Sequence, residues 1–206
     1  MKKFIFLLSI FLLFFTLSTA CSSENTASEE KETNDAESDD NKIEKNDVEN
    51  TQIAFNFSLE EFVQAYNKVA QDFENDEEMK APILKRINIE DIGEFKLAEV
   101  KDGTAYTREL INETDDSGGI FILEAWYDND RNLNGFNLST FGSDNMASDM
   151  TLFYTFAVFQ TLGIDIGHLN DLLESDQDML DVDGGNYSVH LAKIPETAII
   201  IKIEPK

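Results

Sequence analysis

The sequence has few of the residues that most often carry catalysis or bind metals. Its 206 residues include one cysteine and two histidines. A single cysteine excludes an internal disulfide framework, so the folded part must depend on its hydrophobic core. The histidines, His168 and His190, lack the spacing of a metal-binding pair, and no Gly-x-Ser-x-Gly elbow or Gly-rich phosphate loop accompanies them. The sequence therefore predicts no catalytic residue, no metal site and no cofactor.

Basic residues are also scarce, since 16 lysines and arginines stand against 41 acids for a formal net charge of −25. Nucleic-acid binding is excluded on this ground, because it relies on basic side chains that neutralise phosphates. Adhesion to anionic lipid headgroups through basic residues is excluded in the same way. The surplus of acid is typical of a soluble surface protein. The alternative interpretation of the acidic surplus is a preference for cationic partners.

Two acidic segments have a superficial likeness to cation sites. Asp128, Asp130 and Asn132 begin like an EF-hand loop, but Leu133 occupies the glycine position and Ser139 the position of the bidentate glutamate. We interpret this stretch as a hairpin turn around Asn134-Gly135. The segment 175–186 is interpreted as a solvated acidic loop, with a weak cation site as the alternative.

The first 20 residues have the order of a secretory signal peptide. Met1-Lys2-Lys3 is followed by a mostly apolar run, Phe4–Leu17, and then by small residues. As a helix this run rises about 21 Å, which is short of a hydrocarbon core of about 30 Å. We therefore predict an export signal over residues 1–20 rather than a transmembrane anchor.

The stretch Leu17–Cys21, Leu-Ser-Thr-Ala-Cys, resembles the lipobox of bacterial lipoproteins. The resemblance implies cleavage between Ala20 and Cys21, a diacylglycerol thioether on Cys21, and a protein anchored to the cell membrane that faces outward. Ser18 stands where the family usually has leucine. Residues 18–20 also fit ordinary signal peptidase, which would release a soluble protein.

Residues 21–50 are predicted to form the lipidated cysteine and an acidic tether. Residues 22–50 contain 11 acids, three lysines and no aromatic residue. Low hydrophobicity and like charge predict a disordered segment, with a flexible-coil span of about 30 Å. The composition changes at Thr51, and we assign residues 51–206 to a single folded domain.

The domain opens with a strong helix signal. Ser58 and Glu61 form a Ser-x-x-Glu capping box, and Phe57 and Phe62 have the positions of a hydrophobic staple. An apolar stripe follows at helical spacing and comprises Phe62, Tyr66, Val69 and Phe73. The run Glu61–Asn67, Glu-Phe-Val-Gln-Ala-Tyr-Asn, resembles a motif in small α+β lipoproteins of low-GC Gram-positive bacteria, a resemblance that implies no activity.

The rest of the domain is predicted to alternate between strands and helices in separate runs. A hairpin around Asp102-Gly103, a strand over Ile120–Tyr127 and a return strand over Phe136–Phe141 form a four-stranded meander. A helix from Asp144 to Leu162 follows, capped by Ser143 or Asp144 and ended by Gly163. A short helix over Ile166–Glu174 and strands over residues 187–194 and 197–204 complete the domain. We expect an α+β fold with an antiparallel sheet of about six strands and helices packed on one face, in the order helix, four strands, two helices, two strands.

Alternation along Ile120–Tyr127 divides this strand into two faces. Phe121, Leu123, Ala125 and Tyr127 should face the helices, while the other face presents Ile120, Ile122, Glu124 and Trp126. A carboxylate beside the only tryptophan is a candidate recognition surface. Arg108 and His190 would join it if their strands are neighbours. The alternative is an ordinary mixed face, or one covered by a loop.

These observations favour a lipid-anchored extracytoplasmic binding protein that is not an enzyme. It would contact the membrane through Cys21 and bind an envelope or extracellular ligand whose identity the sequence does not reveal. Two alternatives stay open: a cell-surface hydrolase that uses paired carboxylates, and a structural or protective envelope lipoprotein.

Overall fold

The computed structural model describes residues 55–100, 103–142 and 146–206. The predicted signal peptide (1–20), the lipidation site at Cys21 and the tether (21–50) lie outside these residues. Within the described ranges, none of the helices has both the length and the apolar character needed to cross a membrane.

The described residues form three α-helices and a seven-stranded antiparallel sheet. The helices are α1 (Leu59–Asn75), α2 (Asp149–Leu162) and α3 (Gly167–Glu174), with a short 3₁₀ helix at Ile89–Asp91. The strands are β1 (Lys96–Val100), β2 (Gly103–Thr114), β3 (Ile120–Tyr127), β4 (Leu133–Phe141), β5 (Met179–Asp183), β6 (Tyr187–Ile194) and β7 (Ala198–Pro205). Their order across the sheet is β1-β2-β3-β4-β7-β6-β5, which confirms the α+β class and the meander of the first four strands.

Helix α1 begins as its sequence predicts. The Glu61 amide donates to Ser58 Oγ at 3.2 Å, and the Ser58 amide donates to Glu61 Oε2 at 2.8 Å. The rings of Phe57 and Phe62 lie 6.4 Å apart, in agreement with a staple across the cap. The buried side of the helix includes Phe62, Tyr66 and Phe73, whereas Val69 is half-buried.

Helix α2 begins five residues later than predicted, at Asp149 instead of Asp144. Its N-cap is Ser148, whose hydroxyl accepts from the Thr151 amide and donates to the carboxylate of Asp115. The cap is reciprocal, since the Ser148 amide donates to Thr151 Oγ1 at 2.9 Å, and the Asp115 contact adds a partner 33 residues away in sequence. The predicted caps, Ser143 and Asp144, lie outside the described residues. The predicted end is confirmed, since Gly163 adopts a left-handed φ of 69° that favours glycine.

The prediction of a loop over residues 175–186 is wrong in part, because β5 lies within it. This strand pairs with β6 in a register that places Asp181 opposite His190 and Val182 opposite Val189. Leu180 and Val182 pack against the core, while the intervening acids are exposed. The sheet therefore has seven strands instead of about six, and three strands follow the helices instead of two.

The core lies between the helices and one face of the sheet. The predicted inward face of β3 is confirmed, with Phe121, Leu123 and Ala125 fully buried and Tyr127 nearly so. Phe121 stacks on Tyr154 of α2 with ring centroids 4.7 Å apart. Across the described residues, the helices cover only this face.

Candidate functional site

The face of the sheet opposite the helices, here called the open face, carries the predicted recognition residues. On β3 these are Ile120, Ile122, Glu124 and Trp126, all of them partly exposed. Side chains from β4, β7, β6 and β5 continue the open face in register.

Trp126 occupies a space that a glycine provides. Gly135 of β4 is its register partner, and a Cβ atom at Gly135 would lie 1.7 Å from Trp126 Nε1. The turn predicted around Asn134-Gly135 lies earlier, at Asp128–Asn132, where Asp128 Oδ1 accepts from the Asn132 amide at 2.9 Å. Gly135 is thus a strand residue, and its missing side chain lets the indole lie close against β4.

The indole N–H of Trp126 is turned away from solvent. Nε1 is buried and has no hydrogen-bond partner among the described residues. Nε1 lies in the space that the missing side chain of Gly135 leaves open. An incoming molecule therefore cannot reach the N–H group without moving the ring. Trp126 can therefore offer a partner the carbon surface of its indole, but not its N–H.

A row of charged groups leads away from Trp126 across β7, β6 and β5. Lys202 Nζ lies 4.8 Å from the Trp126 ring centroid, within cation–π range, and 2.9 Å from Glu204 Oε1. His190 Nε2 is 3.4 Å from Glu204 Oε2, and His190 Nδ1 is 2.7 Å from Asp181 Oδ1. His190 thus lies on the open face although its strand, β6, does not neighbour β3, and when protonated it can donate to both carboxylates.

Two carboxylates face each other beside Trp126. Glu124 on β3 is the register partner of Glu109 on β2. Glu109 accepts from Asn112 Nδ2 at 3.2 Å and lies 4.0 Å from Lys96 Nζ, whereas Glu124 has no ion pair or hydrogen bond within the described residues. Like charges in this arrangement repel across a sheet, so a cation placed between them would be stabilising.

Four apolar and two polar side chains form the next row of the open face. Its members are register partners from β2 to β5, namely Asn112, Ile122, Ser139, Ile200, Ala192 and Met179. Ile200 is 39% exposed and Met179 is 68% exposed. The open face therefore offers apolar surface, a negative pair and an aromatic ring side by side.

Arg108 does not belong to the open face, which corrects the prediction that it would join. Its strand does neighbour β3, but its register partner is the buried Ala125, so its side chain lies on the helix side. There Arg108 Nε donates to the Gly93 carbonyl at 2.9 Å, and its guanidinium lies 5.0 Å from the Phe95 ring centroid.

Sequence reasoning identified Glu124, Trp126 and His190 but missed Gly135, Lys202, Glu204 and Asp181. Gly135 joins through the pairing of β3 with β4, Lys202 and Glu204 through the pairings of β7, and Asp181 through the pairing of β5 with β6. Among the residues that the structure describes, no group of three or more histidine, cysteine or acidic side chains is arranged to hold a metal ion.

Comparison of the chain with models of known protein families, with curated proteins and with solved structures gave no match. The functional assignment therefore depends on the geometry of the site.

Proposed function

We propose that this protein is a lipid-anchored extracytoplasmic binding protein that captures its partner on the open face and catalyses no reaction. The observation that carries the proposal is the placement of Trp126. Its indole is fitted over Gly135 and contacted by Lys202, and it borders partly exposed isoleucines and acids. Aromatic anchors next to apolar and charged groups are typical of binding hot spots.

The partner that fits this surface has an apolar group and a cationic group close together. The apolar group would lie on Trp126, Ile122 and Ile200, and burying it supplies roughly 25 cal/mol for each Å² removed from water. The cationic group would lie against Glu109 and Glu124, where it relieves their repulsion. The net charge of −25 also favours the approach of cationic partners.

The anchor in this proposal is a diacylglycerol group on Cys21, which the lipobox-like leader supports. Two acyl chains hold a protein stably on a membrane, whereas one chain does so only marginally. Mass spectrometry of the mature N-terminal peptide should show a lipidated cysteine, and Cys21→Ser should release the protein from the membrane fraction. An unmodified Cys21 at the mature N-terminus would instead mean a secreted protein.

Capture from intact envelopes with the full-length lipidated protein tests the open face. Trp126→Ala should abolish capture of the partner while the protein stays folded, because the substitution removes the central aromatic surface. The matched control is Ile83→Ala, which trims a side chain that is 74% exposed and lies outside the open face. Unchanged capture by folded Trp126→Ala would rule out this surface.

Glu124→Gln tests the charge requirement. It keeps the shape of the side chain and removes one carboxylate of the Glu109 pair, so we expect weaker capture and a smaller dependence on salt. Glu77→Gln removes the same charge from an exposed position after α1. Equal losses in the two variants would mean that overall charge, and not the pair on the open face, attracts the partner.

A further inference from the structure

A cleft lies on the helix side of the sheet, at the start of α1. It is an open cleft of about 410 Å³, here called the arginine cleft, that contains Arg108 and Arg131. These are two of only three arginines in the chain. Apolar walls are supplied by Phe55, Phe57 and Leu133. The arginine cleft thus combines positive charge and apolar surface in a strongly acidic protein.

The two guanidinium groups are held in place without being neutralised. Neither Arg108 nor Arg131 lies within 4.0 Å of a carboxylate in the described residues. Both lie against Phe95, with Cζ 5.0 Å and 4.9 Å from its ring centroid, so the two Cζ atoms are no more than about 10 Å apart. Stacking on an aromatic ring fixes a guanidinium but leaves its N–H edge free to donate.

Arg108 is further fixed by the backbone. Its Nε donates to the Gly93 carbonyl at 2.9 Å and its Nη2 to the Ile92 carbonyl at 3.4 Å. These bonds use one side of the guanidinium fork, and within the described residues Nη1 has no acceptor of normal geometry, the nearby Tyr127 hydroxyl being only loosely placed. A ligand in the arginine cleft can therefore be met by a preorganised donor.

Tyr127 adds a buried hydroxyl that lacks an acceptor. The residue is only 5% exposed and lines the arginine cleft, yet its Oη has no hydrogen-bond partner of normal geometry among the described residues. Burial raises the pKa of Tyr127, and the charge of nearby Arg108 and a loose hydrogen bond from its guanidinium oppose that rise. Because a guanidinium can only donate, Arg108 cannot accept the hydroxyl proton. A buried hydroxyl without an acceptor is destabilising, so a ligand that supplies an acceptor would be stabilised here.

The start of α1 contributes donors to the same cleft. The capping box uses the amides of Ser58 and Glu61, which leaves those of Leu59 and Glu60 without an acceptor in the part of the chain described. Ser58, Leu59 and Glu60 all line the arginine cleft, and the positive end of the helix dipole lies there. The Glu60 carboxylate also borders the cleft and partly offsets its positive charge.

We infer that the arginine cleft binds the carboxylate of a small ligand whose remaining part is apolar. A carboxylate is an acceptor-only group that matches the planar fork of arginine. It can also accept a hydrogen bond from the Tyr127 hydroxyl. Two arginines and one glutamate leave about one positive charge, which suits a monoanion better than a dianionic phosphate. The phenylalanine walls suit the apolar part. This site is separate from the open face and does not depend on the function proposed for it.

A calorimetric titration of the full-length protein with 3-phenylpropionate tests the inference. The neutral isostere 3-phenylpropanamide should bind at least roughly tenfold more weakly, because the charge-assisted hydrogen bonds are lost. Arg131→Gln should weaken binding of the carboxylate by a similar factor. Arg86→Gln removes the same charge where Arg86 pairs with Glu74, outside the cleft, and should leave binding unchanged.

Several outcomes would overturn the inference: no binding of 3-phenylpropionate, equal binding of the amide, or equal losses in the Arg131 and Arg86 variants. Tighter binding of inorganic phosphate than of the carboxylate would overturn the choice of a monoanion. Tyr127→Phe is an independent check, because it should weaken carboxylate binding while leaving the melting temperature of the ligand-free protein unchanged or higher. A lower melting temperature would show that the hydroxyl is already satisfied within the protein.

Discussion

Gly135→Ala places one methyl group where the indole of Trp126 now lies. The added Cβ would be 1.7 Å from Nε1, 2.4 Å from Cε2 and 2.6 Å from Cδ1 of Trp126. Real Cβ atoms do not approach other heavy atoms so closely, so either the ring or the β4 backbone must move. The ring is the softer of the two, because it lies on the open face and is partly exposed.

The sign of the stability change distinguishes this position from an ordinary glycine. Replacing glycine by alanine within a strand usually stabilises by roughly 0.5–1 kcal/mol, because glycine loses more conformational entropy on folding. Overpacking of a filled site costs about 1–3 kcal/mol. The clash should outweigh the entropic gain, and we expect Gly135→Ala to lower the free energy of unfolding by about 1–2 kcal/mol.

Fluorescence reports the ring movement directly, because Trp126 is the only tryptophan in the chain. We expect a red-shifted emission maximum for Gly135→Ala, together with a lower urea midpoint. Gly93→Ala is the matched control, since a Cβ there would have only ordinary contacts, the closest at 3.6 Å to the Glu109 carbonyl oxygen. If Gly135→Ala left the emission unchanged and the protein as stable as the control, the fit of Trp126 over Gly135 would be refuted.

Two further predictions concern caps on the helices. Ser148→Ala should cost about 1 kcal/mol in denaturant unfolding near neutral pH. Hydrogen bonds from Ser117 and then Ser148 lower the pKa of Asp115 to about 2, so their stabilising effect is present above the ordinary pKa of 3.8 and is lost as the pH falls toward 2. The difference between wild type and Ser148→Ala should therefore shrink over this range, and a constant difference would contradict the assigned bond. Lys193→Met should lower the free energy of unfolding by about 1 kcal/mol, because the ammonium donates to the Leu172 carbonyl near the end of α3 at 3.0 Å. Lys68 is in an exposed ion pair, so Lys68→Met should lower it by less than about 0.5 kcal/mol. Equal effects of the two lysine substitutions in thermal unfolding would contradict this assignment.

The elements that the sequence predicted well are those whose signals are local. The Ser58 capping box, the alternation along β3 and the stop at Gly163 each depend on residues within a few positions of one another. Such signals act before the chain has folded, and the tertiary structure agrees with them. The two faces of β3, and with them Glu124 and Trp126, could therefore be assigned from the sequence.

Two elements were missed, the true start of α2 and the strand β5. Helix α2 begins at Asp149 after the Ser148 cap, whose hydroxyl also donates to Asp115, and β5 is a strand because it pairs with β6. In β5, alternating aspartates resembled a solvated loop although their period of two is that of a strand. The partner of β5 follows after a short turn, so the acidic composition concealed this strand, whereas the Asp115 contact of Ser148 is distant in sequence.

The membership of the open face shows the same limit. Arg108 and His190 were both placed there on the condition that their strands are neighbours of β3. The register puts Arg108 opposite Ala125 and turns it to the helix side, while His190 reaches the open face through β7. A shift of one residue in pairing reverses the face of every side chain, so the sequence alone could not decide either case.

The acids of β5 have a consequence for how the sheet meets other copies of itself. β5 is an outermost strand, and its free backbone edge could in principle accept a further strand. Asp181 and Asp183 are exposed along it, so two copies brought together edge to edge would place like charges side by side. At the opposite limit of the sheet, β1 is only five residues long and carries the exposed Lys96 and Glu99. The aspartates that made β5 resemble a loop thus oppose the extension of the sheet into fibres.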